Sequence, residues 1–178
     1  MLEDLDSAGQ SLYCGRVTSL SNTVYGVVRR LDDGYAVGDA DARLTVSRLR
    51  QQLGSPEVVS ALGRGSLPES EWLCGATALS LFATHRRPGA VSLHGRSLAR
   101  ACSVGNVNER RIERLLGARD LSSVTVALRP IVGVLGAGNV GLNFGRLADL
   151  ILALSTEELA NTAAASFAQD YITIPTKG

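Results

Sequence analysis

With 178 residues, 45 % of them hydrophobic, the chain can bury one sizeable core or two small helical halves, which excludes a disordered protein. Only 4 % of residues are aromatic, fewer than a β-sandwich draws on, so the composition favours helices built from Ala and Leu. A formal net charge of +1 excludes a globally basic nucleic-acid binder; basic character, where it matters, must be local.

The opening MLEDLDSAGQ is acidic and polar, unlike a signal or transit peptide, and residues 1–18 carry no clear periodicity. They are expected to form a poorly ordered or variable arm. From about Leu20 to Leu31 the spacing of Val24, Val27, Val28 and Leu31 predicts a first helix, ended by Asp32-Asp33-Gly34. Asp39 can cap a second helix, with Ala42, Val46, Leu49 and Leu53 on one face. Arg43 and Arg50 flank that face, and Arg48 points away from it. Gly54 closes this helix, and Ser55-Pro56-Glu57 opens a short third one in the order cap, Pro, acid.

After a loop over 63–68, a long apolar helix starts at Ser70 or just before it and carries EWLCGATALSLFATH. It is too short to span a bilayer and is expected to be buried core. Residues 86–90 break the pattern at Pro88-Gly89. Ser92 then caps a helix in which Leu93, Leu98 and Ala101 face inward, while Arg96 and Arg100, spaced i and i+4, share the outer side.

The stretch from Asn108 to Leu135 organises the rest. Ile112, Leu115 and Leu116 make one apolar face of a helix. At about 100° per residue Arg110 and Arg114 project from the opposite side, with Arg111 on the margin and Glu109 and Glu113 on the other flank. A break at 117–120 precedes a second apolar run of Val124, Ala127, Leu128, Ile131, Val132 and Leu135. Residues 136–145 read as a glycine-rich hinge. Leu147, Leu150, Ile151 and Leu154 mark another helix, and Ser155-Thr156-Glu157-Glu158 starts an alanine-rich one reaching about Gln169. The fold class is all-α, with about nine short helices and almost no strand signal.

No catalytic residue, cofactor or metal is expected. Cys14, Cys74 and Cys102 form no C-x-x-C and read as reduced thiols of a cytosolic protein. His85 and His94 lack partners at ligand spacing. Ser92 could take a proton acceptor from either histidine, but no nucleophile elbow surrounds it. Glu109, Glu113 and Asp120 are most simply salt-bridge partners of the arginines among them. Gly136-Ala137-Gly138-Asn139-Val140-Gly141 satisfies G-x-G-x-x-G, but fewer than forty residues follow and the preceding run is helical. A stand-alone helix-turn-helix regulator reading DNA through 108–117 is the other alternative, without a second DNA-contacting element in view. Of the 18 Lys and Arg all but Lys177 are arginine, which suits bidentate phosphate contacts, although a genome rich in G and C is the simpler cause.

The string Asn108-Glu109-Arg110-Arg111-Ile112, preceded by SLHGRSLAR and followed by LL-x-A, resembles the small subunit of the type I-E CRISPR Cascade complex, the CasB family. The likeness runs over roughly residues 30 to 176. It includes LDDGYAVGDADARLTVSRLRQ, the EWLCGATALSLFATH helix, VALRPIV and the final YITIPTK. Gly117 stands where many relatives carry an arginine, with Arg119 nearby, and Pro130 stands where relatives often have a second one.

The resemblance implies a non-enzymatic, cytoplasmic subunit made of two small helical bundles, placed here at 19–104 and 105–178. It implies as partners a second copy of the chain, the other type I-E Cascade protein subunits, the crRNA-guided complex and the displaced single-stranded non-target DNA, with no membrane. Its basic surface would touch that strand. Arg111 is the first candidate contact, because the family's motif places a basic residue there. Arg110, Arg114, Arg96, Arg100, Arg119, Arg129, Arg43 and Arg50 are the others.

Overall fold

The computed structural model of the chain describes residues 19–51, 58, 60, 62–63, 67–85 and 96–172. Among them it is all-helical, with eight α-helices and no strand, as the apolar spacing predicts. In chain order they are α1 (Ser19–Ala36), α2 (Ala40–Gln51), α3 (Glu69–His85), α4 (Leu98–Val104), α5 (Glu109–Gly117), α6 (Leu121–Ala137), α7 (Phe144–Leu154) and α8 (Glu157–Ile172). The N-terminal arm, Leu53 to Glu57, the break at 86–90, Ser92, Leu93 and His94, and the last six residues lie outside the described part.

Two element boundaries differ from the sequence expectation. The first helix does not stop at Asp32-Asp33-Gly34 but runs to Ala36. Asp33 reaches back to Arg29 at 3.9 Å across one exposed turn, an arrangement helices tolerate well. The stop comes at Gly38, whose φ of +83° suits glycine. There the N–H of Asp39 bonds to the Gly34 carbonyl at 2.9 Å and that of Gly38 to Tyr35 at 3.2 Å, the paired bonds of a Schellman ending. Gly34 instead lets α2 approach: a Cβ there would lie 2.8 Å from that of Ala42. Asp39 then caps α2 as expected, its Oδ1 accepting the Asp41 N–H at 2.9 Å.

The second difference is α4. A helix capped at Ser92 would carry residues 96 and 97, yet both precede the helix, which starts at Leu98. Ser97 supplies the cap through its hydroxyl oxygen, which accepts the Arg100 N–H. The Arg96 carbonyl is taken by the N–H of Asn143 at 3.0 Å, a tertiary bond that a continuing helix would preclude.

α3 is the centre of the core. Ten of its residues are buried, around most of its circumference, so it shows little of the one-sided pattern a surface helix has. Against it pack α1, α2, α6 and α7. At its end the buried His85 places Nε2 2.9 Å from the Val140 carbonyl and its ring edge-on to Phe144. A carbonyl only accepts, so Nε2 carries the proton and the imidazole ties α3 to the segment after α6. α7 meets α1 closely, since a Cβ on Gly145 would lie 2.5 Å from the Ser21 carbonyl oxygen. The buried apolar side chains, from Leu20 to Phe167, form one connected cluster. Among the described residues no helix is long and apolar enough to cross a membrane.

Candidate nucleic-acid interface

Asn108 starts α5, its Oδ1 accepting the Arg110 N–H at 2.9 Å. From that start Ile112 and Leu115 are buried and Leu116 is half-buried, with α6 packed alongside. At about 100° per residue, Arg110, Arg111 and Arg114 then share one sector about 100° wide on the outer side. All three are exposed. The expected ion pairs are not formed: among the described residues no carboxylate lies within 4.0 Å of these three guanidinium groups.

Asp120, one of the carboxylates expected to pair, has a different task. Its Oδ1 accepts the Ser123 N–H at 2.9 Å and its Oδ2 the Ser123 hydroxyl, so it caps α6. Those bonds, the hydroxyl first, hold its carboxyl below the usual carboxylate range. Glu109 lies near Tyr171 at the end of α8. Burial, then the charge of Glu109, pushes the Tyr171 phenol up. The α5 arginine sector is therefore left with its full positive charge.

The remaining candidates divide by what their side chains already do. Arg119 turns back on the end of α5, with Nη1 donating to the Leu116 and Ala118 carbonyls at 2.6 and 2.8 Å. Its Nη2 donates to Asn161 Oδ1 of α8 at 3.3 Å. Arg43 lies over the Tyr35 ring, 5.7 Å from its centroid. Arg100 is exposed on α4, and Arg96 is exposed just ahead of it, so the two do not form the i, i+4 pair expected on one helix. Arg50 donates from Nε to the Ala83 carbonyl at 2.6 Å. Arg50 and Arg129 line one cleft between α2, α3 and α6. Gln51 and Ser80 line it too, and no sequence motif marks them, because the cleft joins helices distant in the chain.

The glycine motif at 136–141 has a helix on each side. Gly136 and Ala137 close α6, and α7 begins at Phe144. A dinucleotide turn receives a strand, and here a helix enters instead. Asn139 has a φ of +54°, and the N–H of Val140 bonds to the Leu135 carbonyl at 2.9 Å, a second Schellman ending. The same Gly-Asn-Val string at 105–107 ends α4 likewise, with Asn106 at φ +50° and Val107 bonded to the Cys102 carbonyl at 3.0 Å. Gly136 also admits α3, since a Cβ there would lie 2.8 Å from the His85 carbonyl oxygen. Helix endings and close packing account for the motif.

Compared with known proteins, the family described as CRISPR-associated protein Cse2 matches residues 27–171. No curated protein matches the sequence. Among solved structures, CasB from Thermobifida fusca is similar over 86 % of this chain and 98 % of that one, with a TM-score of 0.73 and 21 % identity. At that identity the likeness is one of fold.

Proposed function

The chain belongs to the CRISPR-associated Cse2 family, and from that membership we propose that it is a non-catalytic small subunit of a type I-E Cascade surveillance complex in the cytoplasm. In this reading it docks with the other Cascade protein subunits and a second copy of itself on the crRNA-guided complex. It stabilises the R-loop by holding the displaced non-target strand through arginines. Exchanging a DNA duplex for a guide–target heteroduplex is nearly balanced in free energy, so a few backbone contacts to the displaced strand can tip it.

The observation that carries this reading is the α5 sector, where Arg110, Arg111 and Arg114 stand exposed without a carboxylate partner among the described residues. Self-neutralised arginines would offer a strand little; these offer charge and planar donors to phosphates. Arg96 and Arg100 extend the surface along the preceding segment. Arg119 is assigned to holding α5 against α8, since three acceptors already occupy its guanidinium.

The test is Arg111→Glu with Arg114→Glu in the assembled complex. Both side chains lie off the buried Ile112–Leu115 face, so the helix and assembly are expected to survive. Target affinity should fall, and its dependence on log salt should flatten by about 0.7 for each single-strand phosphate that is no longer neutralised. Normal assembly with an unchanged salt slope would overturn the assignment of this face.

A further inference from the structure

Between α2, α3 and α6 lies an open cleft of about 310 Å³. Its two walls bring one arginine each, Arg50 from α2 and Arg129 from α6, and no carboxylate lines it. Two guanidinium groups facing one space repel each other unless an anion sits between them. Arg50 is fixed there by its Nε bond to the Ala83 carbonyl in the last turn of α3. That bond sets the position of the guanidinium before any ligand arrives, which lowers the ordering cost of binding. Arg129 is exposed and has no side-chain bond among the described residues.

The floor narrows the choice of anion. Thr77 and Thr84 donate their hydroxyls to the Leu73 and Ser80 carbonyls, both at 3.0 Å, and so turn their protons into α3. Donors toward the cleft therefore come from the two arginines, Gln51 and Ser80. No aromatic ring lines the space, so a base would find nothing to stack on. The space is several times larger than a single carboxylate requires. A sugar–phosphate unit matches its size, polarity and charge.

The geometry points to a phosphate seat in this cleft: Arg50 and Arg129 grip one backbone phosphate of a nucleic-acid strand, without reading its sequence. This deepens the proposed function and rests on it, adding a second contact point assembled from helices other than α5. Arg50 is the preset jaw and Arg129 the one that closes.

The test uses the complete complex carrying Arg129→Gln, and separately Ser80→Asp, which adds a carboxylate beside the jaws without removing either one. Each is expected to leave assembly intact and to lower the salt slope of target binding by about 0.7, equally for different target sequences. Combined with the Arg111 and Arg114 changes, the reductions in slope should add. If the α5 variant flattens the slope while both cleft variants leave it unchanged, the phosphate seat is wrong and the proposed function stands. If none of the variants changes the slope, the proposed function falls with it. If the cleft variants release the chain from the other subunits, the cleft holds an acidic side chain of a partner, and the phosphate assignment is overturned.

Discussion

An arginine's worth to a nucleic acid depends on what else its guanidinium is doing. Arg119 and Arg111 are eight residues apart and look alike in the sequence, yet Arg119 donates to three acceptors of its own fold. Two of those acceptors are carbonyls at the end of α5, where the helix leaves its last C=O groups unmatched and carries partial negative charge. Replacing Arg119 with Ala should therefore cost stability, about 1 kcal/mol on the usual scale for such bonds. It should leave the salt slope of target binding where it is. Thermal unfolding of the free subunit and salt titration of the assembled complex measure the two effects separately. A flattened slope with unchanged stability would return Arg119 to the binding surface. The same division explains what a sequence can and cannot announce about charged residues. Asp39 and Asn108 are legible because a cap is a local device, fixed by the residues that follow within one turn. The Arg50–Ala83 bond spans 33 positions, and nothing local foretells it.

At the scale of elements, apolar period made α2, α5 and α6 readable, since each presents one buried stripe and one wet side. α3 yields to composition instead: it is apolar nearly all round, and only its central place in the core explains why. Helix ends are where the sequence misleads. Asp32-Asp33-Gly34 has the composition of a stop, but the conformation that ends α1 belongs to Gly38. Glycines likewise divide by what they touch. Gly145 and Gly136 stand where a methyl group would strike the backbone of another helix, 2.5 and 2.8 Å from carbonyl oxygens. Gly133, in the middle of α6, has open space where a Cβ would go. Gly133→Ala should therefore stabilise the protein by about 0.5–1 kcal/mol, by removing freedom from the unfolded chain. Gly145→Ala should destabilise it by about 1–3 kcal/mol, because α1 and α7 must move apart. Chemical denaturation of the two variants checks both signs at once. Equal effects would mean that the α1–α7 approach is not a constraint.

Across the whole molecule the halves at 19–104 and 105–178 meet through helices that share one apolar cluster. α7 packs on α1 and α3, and α6 packs on α3. An interface made of buried Leu, Phe and Ala gives neither half a complete surface of its own, so the chain should unfold in one cooperative step. Cys74 and Cys102 give that step a pH signature. Burial pushes the Cys102 thiol up to about 12, and burial with the nearby Glu71 charge pushes Cys74 up to about 11. Unfolding returns both to ordinary thiols, with values near 9.0. Between the unfolded and folded values the unfolded chain has lost these protons and the folded chain keeps them. Stability must then decline as pH rises, from about pH 9 through the folded values. Below that window the two thiols contribute no pH dependence. Far-ultraviolet circular dichroism, which follows all the helices, should give the same midpoint as fluorescence of Trp72 in α3, and both midpoints should fall together above pH 9. Two separated transitions, or an alkaline loss seen by one probe alone, would mean that the halves hold their cores independently.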